Sequence, residues 1–232
     1  PFQNSRFDPS FAKMQEIIAT GVLGKIVYIR ANRSGFSRRW DWQTLQKFWG
    51  GNLLNTGPHP MDQAVVLFGD RKPKVFAKLV SENPYGDADN FALVTLYGKD
   101  APTIEVVINS FQTYPQGASY NISGTCGGLE NGSGGLKWKY FDPKKAQNPK
   151  KTKWSDNRGY CREEIKWIEK TWAPSTKRKY TGFIANSKAF YDNVYDVIIK
   201  KGKPVVTTAQ VRRQIAVMEE AIRQNPMPRK KG

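Results

Sequence analysis

The apolar positions of this chain change period several times, and each change predicts an element. An N-cap residue and a proline, Asp8-Pro9, precede apolar residues at helical spacing, which predicts a helix over 9–20. The β-branched and aromatic run 26–30 then predicts a strand. A second helix is expected over 60–67, because two prolines disfavour helical geometry in the residues that precede them.

Beyond residue 73 the pattern shortens to the alternation of strands. It predicts strands over 74–81, 90–98, 102–112, 120–126 and 136–141, with a glycine-rich turn over 127–135. The strand at 90–98 is apolar on both faces, with Phe91 and Leu93 on one and Val94 and Leu96 on the other. One face is therefore expected to meet helices, and the other must also meet a partner.

The last part of the chain combines a polar segment with two helices. Residues 142–179 are rich in lysine and almost without periodicity, so we interpret them as a basic insertion outside the sheet. Helices are expected over 183–199, which is densely apolar, and from Thr207, whose capping box with Gln210 marks a helix start. The order of elements predicts one α+β domain over 1–232.

Composition limits the class of protein and the kinds of site. The 232 residues are 39% hydrophobic and 25% charged, which is typical of a globular domain. No run approaches the roughly 18 apolar residues of a membrane span, so no membrane partner is expected. With one histidine and two cysteines, Cys126 and Cys161, no metal site is predicted. The chain opens at Pro1 without an initiator methionine, which leaves its compartment open, with the cytoplasm as the default expectation.

Charge is unevenly distributed along the chain, whose net charge is +17. Residues 1–116 hold 13 basic and 10 acidic residues, whereas 117–232 hold 24 basic and 10 acidic residues. The basic residues cluster at Lys137, Lys139, Lys144, Lys145, Lys150, Lys151 and Lys153, with shorter runs at 177–179 and 229–231. Two interpretations are a polyanion-binding face and a solvated lysine-rich loop. We favour the loop and expect no nucleic-acid partner, because lysines dominate and no nucleic-acid motif accompanies them.

Several chemistries are excluded because their motifs are absent. The sequence contains no G-x-x-x-x-G-K-[ST] and no G-x-G-x-x-G after a strand, so the chain itself carries no nucleotide fingerprint. It also lacks the G-x-S-x-G elbow. Cys126 lies in a glycine-rich stretch and is interpreted as a structural residue rather than a nucleophile.

The segment 50–62 is the strongest candidate for chemistry. Its glycines and prolines fix a turn, and His59, the single histidine, comes at a helix start, where the helix dipole disfavours the imidazolium. A neutral ring can accept a proton near pH 7 as a general base does. The alternative is a capping or packing residue, the more frequent role of a lone histidine at a helix edge. Asn55 lies four residues earlier and could orient the ring or a substrate hydroxyl.

At this point the residues resemble a known family. The matching segments are Gln3-Asn4-Ser5-Arg6-Phe7-Asp8-Pro9, Gly21-Val22-Leu23-Gly24-Lys25-Ile26, Gly50-Gly51-x-Leu53-Leu54-Asn55-x-Gly57-x-His59-x-x-Asp62-Gln63 and Gly202-Lys203-Pro204. They are similar to the C-terminal domain of the glucose-fructose oxidoreductase, inositol dehydrogenase and rhizopine catabolism (Gfo/Idh/MocA) family. The resemblance covers nearly the whole chain and is weakest over 142–179.

The resemblance implies a fold and an assembly. Family members join an N-terminal Rossmann domain, which binds NAD or NADP, to an α+β domain with an open, mainly antiparallel sheet. Helices cover one face of that sheet, and the other face makes oligomer contacts. The chain resembles the second domain only: residues 1–7 would be the remnant of the last Rossmann strand, and the family's E-K-P lysine has no counterpart. We therefore expect this chain alone to bind no NAD(P), and to form a homodimer or homotetramer through the open face.

The resemblance also implies roles for individual residues. His59 matches the histidine that transfers a proton beside the reacting carbon of a sugar or polyol. Asn55 stands where many members have aspartate, and an amide cannot act as a base, although it can hold a hydroxyl. Trp40 and Trp42 match the loop that walls the sugar pocket, with core packing as the alternative. The residues that match positions close to the cofactor are Asn4 and Arg6.

The sequence thus predicts the substrate-binding and oligomerisation domain of an NAD(P)-dependent oxidoreductase that acts on a sugar, polyol or related hydroxylated substrate. In this prediction His59 is the acid/base of the intact enzyme, and the isolated chain is inactive. One alternative is a carbohydrate-binding module of the same fold without redox chemistry, which Asn55 permits. The other is a polyanion-binding protein that uses the lysine cluster, whose binding would weaken steeply with added salt.

Overall fold

The computed structural model describes residues 1–115, 117–146, 160, 163–175, 177 and 179–228. The strands are β1 Ile26–Ser34, β2 Lys74–Val80, β3 Phe91–Tyr97, β4 Thr103–Asn109, β5 Tyr120–Gly124, β6 Gly127–Gly132, β7 Gly135–Tyr140 and β8 Ile168–Trp172. The helices are α1 Pro9–Ala19, α2 Asn52–Asn55, α3 Pro58–Phe68, α4 Gly182–Ile199 and α5 Thr208–Gln224. Short 3-10 helices lie at Asn4–Phe7, Trp42–Thr44 and Gln46–Phe48.

All eight strands belong to one open sheet. Their order is β2-β3-β4-β1-β5-β6-β7-β8, so β2 and β8 are its edges. The paired strands run antiparallel except β1 and β4, which are parallel, with Ile29 opposite Ile104. The predicted α+β class and the mainly antiparallel, open sheet are therefore confirmed.

The core lies between one face of this sheet and the helices α1, α3 and α5. The strand residues that face the helices are almost inaccessible: Ile29, Ala31, Ala92, Val94, Leu96, Ile104, Val106 and Ile108. The helices bury Phe11, Met14, Met61, Ala64, Val65, Val217 and Met218 against them. Burial of each large apolar side chain stabilises the fold by roughly 1.5–3 kcal/mol. The buried residues of α3 therefore fix this helix against the sheet. No helix in the described part of the chain is long and apolar enough to span a membrane.

Helix boundaries follow their predicted caps. The Asp8 carboxylate accepts the amide protons of Ser10 and Phe11, which fixes the start of α1. At α5, Thr207 and Gln210 form the predicted capping box. The prediction for α3 was wrong by one half-turn, since the helix begins at Pro58 rather than residue 60. Prolines are tolerated there, because amide protons of the first turn have no partner within the helix.

Three predictions about the sheet were wrong. Strand β1 does not end at residue 30 but continues to Ser34, because its parallel pairing with β4 continues that far. Most of the predicted turn 127–135 is strand β6, where a Cβ on Gly127 would lie 2.3 Å from the Lys139 carbonyl oxygen. The insertion 142–179 contains β8, an exposed edge strand that pairs with β7. An edge strand exposed on both faces has no apolar alternation that reveals it.

The first seven residues do not form the predicted strand. Asn4–Phe7 is a 3-10 helix, in which the Arg6 and Asp8 amides donate to the carbonyls of Gln3 and Ser5. The Arg6 side chain is buried and points toward α3, so side-chain contacts as well as local backbone hydrogen bonds stabilise this turn.

Candidate functional site

The segment 50–62 forms the short helix α2 and the first turns of α3. Gly51 precedes α2 with φ of 107°, and a Cβ at this position would lie 2.2 Å from Asp89 Oδ1. Gly57 joins the two helices, and its Cβ would lie 2.1 Å from the Leu53 carbonyl oxygen. Neither position can accept a side chain without displacing backbone or a buried carboxylate, which explains the glycines of this segment.

Asn55, the last residue of α2, is held by an amide that sequence reasoning missed. Gln43 Nε2 donates to Asn55 Oδ1 at 3.1 Å, and Asn55 Nδ2 donates to Gln43 Oε1 at 2.8 Å. Arg39 also donates to Gln43 Oε1. The loop between β1 and α2 is thereby fixed against Asn55, with the amide orientation set by two reciprocal hydrogen bonds.

Asp89 anchors the other side of the same helix. Its Oδ2 accepts the Leu53 amide proton at 2.8 Å, and its carbonyl oxygen accepts the Asn52 amide proton. Burial raises the pKa of Asp89 to about 6, although hydrogen bonds from backbone amides oppose that shift. No sequence signal identifies this residue, because it caps a helix 36 positions earlier in the chain.

A cavity of about 250 Å³ opens between the β1–α2 loop and the loop that carries Asp89. Its lining includes Phe36, Arg38, Gln43, Asn55, Tyr85 and Asp89. This lining combines polar groups with aromatic rings, a mixture that is common in binding sites for small molecules. Asn55 therefore faces the cavity, as a substrate-binding residue would, whereas His59 is not part of its wall.

His59 is the second residue of α3 and is half-buried. Its Nδ1 is buried and has no hydrogen-bond partner among the described residues. Burial, aided by the positive charge of Arg33, lowers the pKa of His59, while the charge of Asp62 opposes this shift. The ring is therefore neutral at pH 7, as the sequence predicts, although burial rather than the helix dipole is the leading cause of the lowered pKa.

A buried ion pair braces α3 one turn beyond its start. Arg6 Nε and Nη2 donate to Asp62 Oδ2 and Oδ1 at 2.6 and 2.8 Å, and Arg6 Nη1 donates to Val205 O and Gln210 Oε1. Asn4 Nδ2 donates to Ser187 Oγ. The Arg6 guanidinium thus has no free donor edge for a cofactor phosphate, and the described contacts of Asn4 and Arg6 hold the fold together. Their proximity to a cofactor stays a prediction.

Both candidate pocket tryptophans are on the surface. Trp40 is 75% exposed and Trp42 is 58% exposed, so the alternative that they pack in the core is wrong. Trp40 meets the Tyr85 ring edge-on at 6.4 Å, beside the cavity, but neither tryptophan lines it. Stacking on a sugar ring stays a prediction for both residues.

The remaining candidates carry no defined site. In the part of the chain that the structure describes, no group of three His, Cys, Asp or Glu side chains could hold a metal ion. Cys126 is a free thiol beside Thr125. Lys137 and Lys139 are exposed on β7, whereas the predicted cluster members Lys150, Lys151 and Lys153, the run 229–231, Arg178 and Cys161 lie outside the described residues.

The fold is an α+β domain with an open sheet, and its segment 50–62 combines a half-buried histidine with Asn55, which lines a polar cavity. A family model for the GFO/IDH/MocA C-terminal domain matches residues 11–130. The chain belongs to this family of C-terminal domains.

Similar proteins extend the match to nearly the whole chain. The uncharacterised oxidoreductase C115.03 of Schizosaccharomyces pombe is 26% identical over 95% of this chain and 63% of its own length. An NAD-binding protein from Listeria innocua has a TM-score of 0.74 at 18% identity, over 99% of this chain and 66% of its own. An oxidoreductase from Agrobacterium radiobacter, in complex with NAD+, L-tartaric acid and magnesium, has a TM-score of 0.70 at 14% identity. This match covers 98% of the present chain and 64% of that protein. The chain thus spans a little under two thirds of these relatives.

Proposed function

We propose that this chain is the substrate-binding domain of an NAD(P)-dependent oxidoreductase that acts on a sugar, polyol or related hydroxylated compound. The observation that carries the proposal is His59, a neutral, half-buried imidazole at the start of α3 in a chain of this family. Two structural relatives support the cofactor class, since one is described as NAD-binding and another contains NAD+. The L-tartaric acid of the second is a hydroxylated compound.

The chain's own residues supply proton transfer and positioning. A bound NAD(P)+ would supply the hydride acceptor for the carbon that bears the substrate hydroxyl. As that carbon becomes a carbonyl, His59 accepts the hydroxyl proton, and it returns the proton in the reverse direction. Asn55 can hold a neighbouring hydroxyl, because Gln43 fixes the orientation of its amide.

The test is a steady-state assay of the full-length protein that contains this chain, with NAD+ or NADP+ and a panel of sugars and polyols. We expect His59→Asn to lower kcat by about 10²–10⁴-fold with little change in KM, since only proton transfer is removed. Lys47→Ala, an exposed change in the β1–α2 loop, is the matched control. Unchanged kcat in His59→Asn contradicts the role of His59, and substrate binding without any cofactor reduction favours the non-redox binding module.

We also propose that a second copy of this chain covers the outer face of the sheet. On β2 and β3 this face presents Phe76 and Tyr97, which are 55% and 41% exposed, next to Leu93. Exposed aromatic residues grouped on one sheet face are typical of an association surface. Sedimentation of Leu93→Glu should show a shift toward monomer, whereas Thr171→Glu, on the polar end of the same face, should not. A monomeric wild type at micromolar concentration would refute this assembly.

A further inference from the structure

Among the described arginines, Arg6 is buried and Arg33 and Arg213 are partly buried, and the three differ in their partners. Arg6 pairs with Asp62, and Arg213 with Asp70. Arg33 forms no ion pair with any described carboxylate, and its one described hydrogen bond runs from Nη1 to the carbonyl oxygen of Asn32 at 3.3 Å. Four of its five donors are therefore without a partner in the described part of the chain. A partly buried guanidinium with unused donors is available to an anionic ligand.

The fold places Arg33 on the same side of the sheet as His59. Side chains alternate along β1, so Arg33 continues the row of Ile29 and Ala31, which face the helices. Its guanidinium carbon lies 5.7 Å from the centroid of the Tyr120 ring.

Tyr120 connects this guanidinium to α3. The Tyr120 hydroxyl donates to Gln63 Oε1 at 2.5 Å, and Gln63 lies one turn after His59 on the helix. Gln63 Nε2 in turn donates to the Ser5 carbonyl oxygen, which fixes the amide. Arg33 is thus held by a buried, hydrogen-bonded framework rather than by a mobile loop.

Two charged side chains act on His59 from opposite directions, Asp62 more strongly than Arg33. The charge of Arg33 reaches His59, since it is one of the causes that lower the pKa of that ring. The carboxylate on the same helix, Asp62, is already neutralised by two hydrogen bonds from Arg6. An anionic group that enters beside His59 would therefore find a guanidinium that makes no ion pair with a described carboxylate, and no unpaired carboxylate from this turn of α3.

We propose that Arg33 binds an acidic group of the substrate, so that the compound oxidised or reduced beside His59 is a hydroxylated acid or phosphate ester rather than a neutral sugar. This inference rests on the proposed function and names its substrate class. The guanidinium fork matches both carboxylate and phosphate in a bidentate geometry. A bidentate guanidinium also fixes the orientation of the bound acid, so that its neighbouring hydroxyl points toward His59. A lysine ammonium, which acts as a point charge, would fix that orientation less well.

The test compares matched substrates in the full-length protein. Glucose, glucuronate and glucose 6-phosphate share a ring and differ at one carbon, and glucitol and gluconate form a second pair. We expect an acidic member to have the highest kcat/KM in the wild type. Arg33→Gln should raise the KM of that acid by roughly 10–100-fold, the loss of a charge-assisted hydrogen-bond pair, and change the neutral member little. For the acidic substrate, the KM of Arg33→Lys should lie between those of the wild type and Arg33→Gln.

Controls separate this inference from folding and from the proposed function. Arg30→Gln, on the same strand but the opposite face, should leave the preference for acids unchanged. Arg33→Met, which keeps the stem over Tyr120, should unfold within a few degrees of the wild type. Equal losses for neutral and acidic substrates, or a wild type that prefers the neutral members, would overturn the role of Arg33 while the oxidoreductase proposal stands. Absence of cofactor reduction with every member overturns the oxidoreductase proposal itself.

Discussion

Replacement of Asp89 by asparagine tests whether the site is built on a buried carboxylate that the fold holds at an energetic cost. Burial raises the pKa of Asp89 to about 6 in the folded protein, from the ordinary value of 3.8 that applies to the unfolded chain. Between these values the native state keeps a proton that the unfolded state has lost, so the free energy of unfolding falls as pH rises from about 4 to 6. A shift of about two pKa units corresponds to about 3 kcal/mol at pH 7.

Asp89→Asn removes the titration but keeps an oxygen for the Leu53 amide. Urea unfolding of both proteins at a series of pH values gives the difference between their free energies of unfolding. That difference should change by about 3 kcal/mol between pH 4 and pH 7 in favour of the variant, whatever constant offset the lost hydrogen bonds cause. Equal m-values verify that both proteins expose the same surface on unfolding. A difference that does not vary with pH would refute the argument.

Three further substitutions probe the same scaffold. Arg6→Leu strands the buried Asp62 carboxylate and should lower the free energy of unfolding by about 3–5 kcal/mol in urea titrations. A loss below ~1 kcal/mol would contradict a buried pair. Gly51→Ala places a Cβ against Asp89 and should lower the free energy of unfolding by roughly 1–3 kcal/mol, which a lower Tm would show. Thr207→Ala removes the cap of α5 and should cost about 1 kcal/mol, whereas an unchanged Tm would contradict the capping box.

Most of the fold follows from local pattern, because caps and alternation are written in neighbouring residues. The Asp8 cap and the nearly continuous apolar run 91–97 predict α1 and β3 almost to the residue. The errors occur where long-range contacts decide. Gly127 of strand β6 lies where the backbone of β7 approaches closely, and β8 pairs at an edge that exposes both of its faces.

The site is predicted less completely, for the same physical reason. His59 and Asn55 are identified by residue type and by their place in a glycine-rich segment. The groups that define their surroundings come from other elements: Gln43 from a 3-10 helix, Asp89 from the loop before β3, and Arg33 from the end of β1. Nothing in the local sequence of these three residues indicates that they lie near α2 or α3, since contacts between segments distant in the sequence bring them there.

The side-chain amides of Asn55 and Gln43 are complementary in their hydrogen-bonding groups. Two primary amides can exchange a donor and an acceptor in both directions, and both hydrogen bonds are present at 2.8 and 3.1 Å. A carboxylate in place of Asn55 could only accept, so the Gln43 oxygen would lose a donor and face a negative charge. The amide at position 55, where the resemblance implies aspartate, is therefore matched by the Gln43 amide in the loop. Under the proposed function this pair orients the substrate, and His59 is the residue assigned to proton transfer.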